Sequence, residues 1–364
     1  MFREIKFAFN IFYSYINFIG HKEYVRSRPS LFWIEPTNYC NLKCPMCPGT
    51  YTDERIKKGF MSFDLFKDIV DEISPYVLET YLMLGGESLL HKDIVGMVRY
   101  AKMKKLNVLM DTNGVLLHED LGRELLESGL DFISISFDGY ERDTYEKIRV
   151  NAKFDGTLKN IRSFLNLKKI NNHNIFVRIR SMEDSSGKGA FSSEKREAFR
   201  SLFSELPVDD FIVLPFGNWN QDFPDNENVS IPGLTVIDPS LSNYHPCPYL
   251  WTSLCIRWDG TVVACCLDLL NQLLLGDRKN KNLLHIWNDE PVVELRHKHI
   301  TGEINRPCSN CTNMITKTVL GVPAGGFCGP TSLARTMFGM GMYKGILSQS
   351  GYLRRKIFPF WNYK

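Results

Sequence analysis

From Leu31 to about Phe216 two rhythms of apolar residues alternate. Short apolar runs read as strands: Leu31 to Thr37, Leu78 to Met83, Asn107 to Gly114, Phe132 to Gly139, Ile175 to Ser181 and Asp210 to Pro215. Between them the apolar positions recur every three or four residues, as in Phe63, Phe66, Ile69 and Ile73 within Ser62 to Ser74. The same spacing predicts helices near Asp93 to Lys104, Glu119 to Ser128, Tyr140 to Arg149, Thr157 to Lys169 and Ser193 to Leu206. Regular alternation of this kind argues for parallel strands joined by right-handed helical crossovers. The expected fold class is α/β, a partial (β/α)6 TIM-like barrel over residues 31–216, since six units leave a barrel open. Its site belongs at the C-terminal strand ends.

The flanks have different patterns. Residues 217–245, rich in Asn, Asp, Pro and Gly, read as a linker or lid, and residues 246–330 as a small C-terminal domain. Residues 1–30 hold an amphipathic helix in which Arg3, Lys6, Asn10, Ser14, Asn17 and His21 form one polar stripe on an otherwise apolar cylinder. Residues 331–364 form a basic, aromatic tail with Phe338, Phe358, Phe360, Trp361, Lys344, Arg354, Arg355 and Lys356. The net charge is only +3, yet the first 30 residues carry five basic and two acidic groups and the last 34 carry six basic and none, leaving −6 for the middle. Basic, aromatic-rich helices suit anionic lipid surfaces, so peripheral membrane contact is one expectation. Packing of these helices on the barrel or on a second copy is the other. No stretch reads as a membrane span, and Asn10, Ser14 and Asn17 interrupt any signal peptide. Nothing points to nucleic acid.

At 364 residues, 44% hydrophobic and 23% charged, the chain suits one large domain plus a smaller one. Its ten cysteines cluster, which favours metal in a reducing compartment over disulfides, and hence the cytoplasm. Cys40, Cys44 and Cys47 follow the first strand at spacings of four and three. Three thiolates can hold three irons of a cubic four-iron cluster and leave the fourth iron open to a small molecule. A zinc site would need a nearby fourth ligand, and a ferredoxin-type cluster a fourth cysteine; neither is present in this loop.

This loop resembles the Cys-x3-Cys-x2-Cys signature of the radical S-adenosylmethionine (radical SAM) superfamily. Leu84-Gly85-Gly86-Glu87 is similar to that family's Gly-Gly-Glu motif, with Ser88 where Pro is more usual, and the strands ending in Asn113-Gly114 and Asp138-Gly139 resemble its third and fourth. The resemblance implies that Cys40, Cys44 and Cys47 ligate a 4Fe-4S cluster whose open iron binds S-adenosylmethionine. It further implies that Gly85, Gly86 and Glu87 hold the cofactor's ammonium, and that Ser136 and Arg149 contact its ribose or carboxylate. Arg178 and Arg180 share one strand face by period two and are weaker candidates.

Beyond the linker, Cys247, the run from Cys255 through Gly260 to Cys265-Cys266, and Cys308-Ser-Asn-Cys311 resemble the SPASM and twitch extensions of the same family. Cys247, Cys265, Cys308 and Cys311 would complete one auxiliary 4Fe-4S cluster of the twitch type. Cys265 satisfies the Gly-x4-Cys spacing, while Cys255 and Cys266 read as small buried side chains. A zinc ribbon uses the same ligand number and remains the alternative, which iron and sulfide analysis separates.

The family's chemistry implies a 5'-deoxyadenosyl radical that removes a substrate hydrogen atom. An auxiliary cluster able to accept the substrate electron makes oxidation of a secondary alcohol the concrete expectation, on a sugar, cyclitol or lipid-linked molecule, with flavodoxin or ferredoxin as reductant. The alternatives are a ribosomal-peptide maturase, for which the 30 residues before the barrel are too few to form a peptide-recognition domain, and a non-catalytic iron–sulfur scaffold. Tyr51, Asp138 and Asp268 are the candidate bases.

Overall fold

The computed structural model describes residues 2–50, 56–183, 193–215, 244–311, 318–319 and 322–323. Most of the lid, the tail from 331 and Tyr51 lie outside them. After α1 (Phe2–Ile19) the chain alternates β1 (Leu31–Ile34), α2 (Phe63–Ile73), β2 (Glu79–Leu82), α3 (Ile94–Met103), β3 (Asn107–Thr112), α4 (Glu119–Glu127) and β4 (Phe132–Ser136). Then come α5 (Arg142–Ile148), α6 (Phe154–Ile170), β5 (Phe176–Glu183), α7 (Ser193–Ser201) and β6 (Asp210–Pro215). The helices start where the sequence supplies caps: the Ser62 hydroxyl accepts the Leu65 amide at 3.2 Å before α2, and the His118 ring accepts the Leu121 amide before α4.

The six barrel strands are parallel in the order β6-β5-β4-β3-β2-β1. The barrel is open. One strand face carries Ile34, Leu82, Val108, Met110, Ile133, Ile135, Val177 and Ile179 into the core with α2 to α6. The other presents Leu109, Phe132 and Phe176 near the floor, where the Phe132 and Phe176 rings stack at 5.4 Å. Further along it are Asp111, Ser134, Ser136, Arg178 and Arg180, which period two places on that same face.

The sheet does not stop at β1. β7 (Ser253–Ile256) pairs with β1 in parallel, and β8 (Thr261–Val263) and β9 (Leu274–Asp277) follow antiparallel, so nine strands form one sheet. The β7–β8 turn uses Asp259-Gly260, with Gly260 at φ +95°, a conformation open mainly to glycine. α8 (Leu283–Ile286) and α9 (Glu290–Thr301) cover this extension. Buried Arg296 in α9 lies against the Trp287 ring at 4.4 Å and donates to the carbonyls of Glu23, Leu250 and Trp287. One guanidinium thereby ties the segment after α1 to the C-terminal module.

Candidate active site

Every motif of the N-terminal half converges on the C-terminal ends of β1 to β5. The cysteine loop follows β1, and the Cys47 amide donates to the Cys44 carbonyl at 3.0 Å. Cys40, Cys44 and Cys47 lie close enough that a negative charge on one raises the pKa of the next. Burial is nevertheless the largest cause, and it pushes the Cys40 thiol to about 11. Cys44 is buried, Cys47 half-buried and Cys40 exposed at the rim, and thiols whose pKa is raised in this way ionise readily only beside a positive partner, which a metal cluster supplies. Among the described residues, no three His, Cys, Asp or Glu side chains converge as a single bound ion requires.

The turn after β2 is built for close approach. A Cβ on Gly86 would stand 2.3 Å from the Thr37 carbonyl oxygen and 2.5 Å from that of Tyr39, so only glycine lets the two loops meet. Glu87 is buried and spans the ends of β2 and β3, accepting from the Thr112 hydroxyl and the Asn113 amide at 2.8 Å each and from the Leu89 amide at 3.2 Å. Burial raises its carboxyl above the ordinary value, and these donors pull it back. Ser88 donates to the Leu82 carbonyl at 2.8 Å, a bond that proline could not make at this position.

Arg149, the residue ending α5, reaches back under the cluster loop. It pairs with fully buried Asp138 and directs Nη1 to the Cys44 sulfur at 3.8 Å. Burial disfavours its charge, but Asp138 and Cys44 outweigh that and hold the guanidinium above its usual pKa. Asp138 also accepts the Met182 amide at 2.6 Å, so it serves as an anchor and not as a free base. Ser136 accepts from Arg180 Nη2 at 2.8 Å, and Arg180 Nη1 pairs with Asp111 at 2.9 Å. Arg178 pairs with Asp210 at 2.9 Å. Within this network Ser134 Oγ and Arg180 Nε are buried without a hydrogen-bond partner among the described residues, two polar atoms left for water or ligand.

A second cavity lies in the C-terminal module. Cys247, Cys265, Cys308 and Cys311 line it together with Asp268, His299 and apolar side chains. Cys266 packs instead beside Leu31, Trp33 and Val263, and Cys255 is fully buried in that cluster. Four thiols without an open position match the donor set of a completely ligated cubic cluster. Asp268 accepts the amides of Gln272 and Leu273 at 2.9 and 2.8 Å, while burial raises its pKa. His299 accepts the Cys247 amide on Nδ1 at 3.3 Å, which leaves the ring proton on buried Nε2, where no partner is found among the described residues.

Sequence reasoning missed the connection between the two halves. Glu35, at the end of β1, is fully buried and accepts the Gly85 amide at 3.0 Å and the Trp258 amide at 3.2 Å. It also pairs with buried Arg257 at 3.1 Å. Arg257 follows β7, so one ion pair joins the turn before Glu87 to the C-terminal extension. The signal in the sequence was one acidic and one basic residue directly after two strand-like runs, separated by more than 200 positions.

Comparison with known proteins agrees with this geometry. Residues 34–180 match the radical SAM superfamily, and residues 247–312 match the iron-sulfur cluster-binding domain SPASM. The Fe-coproporphyrin III synthase of Methanosarcina barkeri is 30% identical over 135 residues, which are 37% of this chain and 33% of that protein. Of curated relatives such as this one, the chain therefore spans well under two thirds. Among solved structures, SuiB of Streptococcus suis bound to S-adenosylmethionine aligns with TM-score 0.57 and 17% identity over 78% of this chain and 72% of that one. BtrN in complex with AdoMet and 2-DOIA aligns with TM-score 0.50 and 16% identity over 79% and 94%. At such identities the structures attest a shared fold. The two family matches together cover more than half of the sequence, and the chain belongs to the radical SAM superfamily, with a C-terminal SPASM domain, S-adenosylmethionine as cofactor, and 4Fe-4S clusters that include an auxiliary one.

Proposed function

We propose that this enzyme oxidises a secondary alcohol on a polar substrate, a sugar, a cyclitol or a lipid-linked relative of these. When bound, the cofactors would supply a 5'-deoxyadenosyl radical that removes the carbinol hydrogen atom, with the hydroxyl proton leaving to base and the remaining electron to the auxiliary cluster. Cys40, Cys44 and Cys47 are the proposed ligands of the first cluster, and Cys247, Cys265, Cys308 and Cys311 those of the second. The Gly85-Gly86 edge and Glu87 would hold the cofactor's ammonium, Glu87 with the one acceptor position that its three donors leave open. Arg149 and Ser136 would orient its carboxylate and ribose at the end of β4.

The observation that carries this reading is the enclosure of four thiols in one cavity of the C-terminal module. A fully ligated cluster has no site for substrate, which leaves electron transfer as its chemistry. Ser134 Oγ and Arg180 Nε, which have no partner among the described residues, favour a substrate bearing several oxygens. The test is 5'-deoxyadenosine release and ketone formation by the reduced, anaerobic enzyme, compared with a Cys308→Ala/Cys311→Ala variant. Full ketone formation by that variant sinks the proposal. A second reading, peptide maturation, has the fold likeness to SuiB bound to its precursor peptide SuiA in its favour. Peptide-stimulated and not metabolite-stimulated release would establish it, and no release under any condition would favour an iron–sulfur scaffold. A cytoplasmic location, a flavodoxin- or ferredoxin-type reductant and peripheral attachment to a lipid surface complete the proposal. No helix among the described residues is long and apolar enough to cross a membrane.

A further inference from the structure

The helix α1 is mounted with its polar stripe inward. Arg3 donates to the carbonyls of Val77 and Lys105, Asn10 exchanges hydrogen bonds with the Arg28 backbone at 2.8 and 2.9 Å, and Asn17 donates to Ser27 at 3.1 Å. Phe7 and Ile11 pack on Leu78, and Phe18 meets Trp251 edge-on at 5.4 Å. The opposite side carries Phe2, Ile5, Phe9, Phe12, Tyr13, Ile16 and Ile19, each between 42% and 73% exposed. At 100° per residue these seven fall within an arc of about 120° running the whole helix. With aromatic side chains of about 150–250 Å² apiece, the exposed part amounts to roughly 700 Å², more than the largest apolar patch of an ordinary monomer.

We infer that this face of α1 docks on an anionic lipid surface. The inference rests on the peripheral attachment proposed above and not on the redox chemistry. Lys6 borders the arc, with its ammonium 4.3 Å from the Phe2 ring, and Lys22 and Arg26 are exposed just beyond the helix, while no acidic side chain lies within the arc. A second copy fits less well. Paired helices bury a seam narrower than this arc. A lipid interface accepts the whole arc and is attracted by the same cations.

The placement also orients the enzyme. Val77, Leu78 and Lys105 precede β2 and β3, whereas Gly85, Glu87 and Asn113 follow them. The docking face and the site mouth are therefore at opposite ends of the same strands, roughly 20 Å apart for a six-residue strand. The mouth then faces the aqueous phase, which within the proposed function favours a soluble sugar or cyclitol over a lipid-linked relative.

The test uses the full chain in flotation with phosphatidylcholine vesicles and with vesicles that also contain phosphatidylglycerol. The expected result is flotation with the anionic vesicles only, weakened by salt, and at least a tenfold loss of the bound fraction in a Phe9→Ser/Phe12→Ser/Ile16→Ser variant. That variant should keep the wild-type melting temperature and vesicle-free 5'-deoxyadenosine release. Wild type that fails to float, or a variant that floats equally well, overturns the inference. So does a wild-type dimer that the variant converts to monomer without any lipid binding, since that assigns the face to a second copy. Flotation without any deoxyadenosine release would leave this inference standing and overturn the proposed function instead.

Discussion

Replacing Arg257 with methionine removes the only cation paired with Glu35 among the described residues and leaves a carboxylate that is fully buried. Breaking a buried ion pair from one side costs about 3–5 kcal/mol. Glu35 keeps the amides of Gly85 and Trp258, so the lower end applies, about 3 kcal/mol. For a chain of 364 residues that lowers Tm by about 4 °C. Burial already raises the Glu35 pKa in the folded protein, with Arg257 opposing it. The folded chain thus holds this proton more tightly than the unfolded chain, and stability through this group falls as pH rises between the two pKa values. Loss of Arg257 widens that window, so the deficit of the variant should be greatest at about pH 8 and shrink towards about pH 5. Anaerobic melting curves across this range, with Glu35→Gln added to the variant, provide the assay. The double variant should recover most of the loss. An Arg257→Met protein that melts within about 1 °C of wild type at about pH 8, or whose deficit grows on acidification, refutes the reasoning.

Gly86→Ala must force the Thr37 and Tyr39 carbonyls aside, with a cost of about 1–3 kcal/mol and loss of S-adenosylmethionine binding by calorimetry; unchanged affinity would contradict the close approach. Cys265→Ala should remove the auxiliary cluster's share of iron and sulfide, and Cys266→Ala should leave both at wild-type levels, because only the former lines the cavity. His299→Leu deletes the Nε2–H that has no partner among the described residues beside that cavity and should lower the auxiliary midpoint potential by tens of millivolts in a spectroscopic redox titration, with iron content retained.

The sequence by itself determined what local periodicity and short spacing encode. The six strand-like runs became β1 to β6 with boundaries shifted by up to three residues, most at the polar ends of β1 and β4, because two-residue and near-four-residue rhythms are properties of neighbouring positions. The cysteine spacings and Gly-Gly-Glu were equally legible, since a cluster loop and a tight turn are built from consecutive residues. Period two also placed Arg178 and Arg180 on one face, but the acids that hold them, Asp210 and Asp111, come from other strands whose order a single sequence does not reveal. The polar stripe on α1 was visible too. Its direction was decided by the carbonyls of Val77 and Lys105, whose positions depend on where β2 and β3 begin in space. Likewise β7 joins β1, and Arg257 meets Glu35, only because the C-terminal extension closes on the barrel edge. Pairings between residues hundreds of positions apart leave no periodic trace, so tertiary structure alone decides which side of a helix faces water and which buried charge finds its partner.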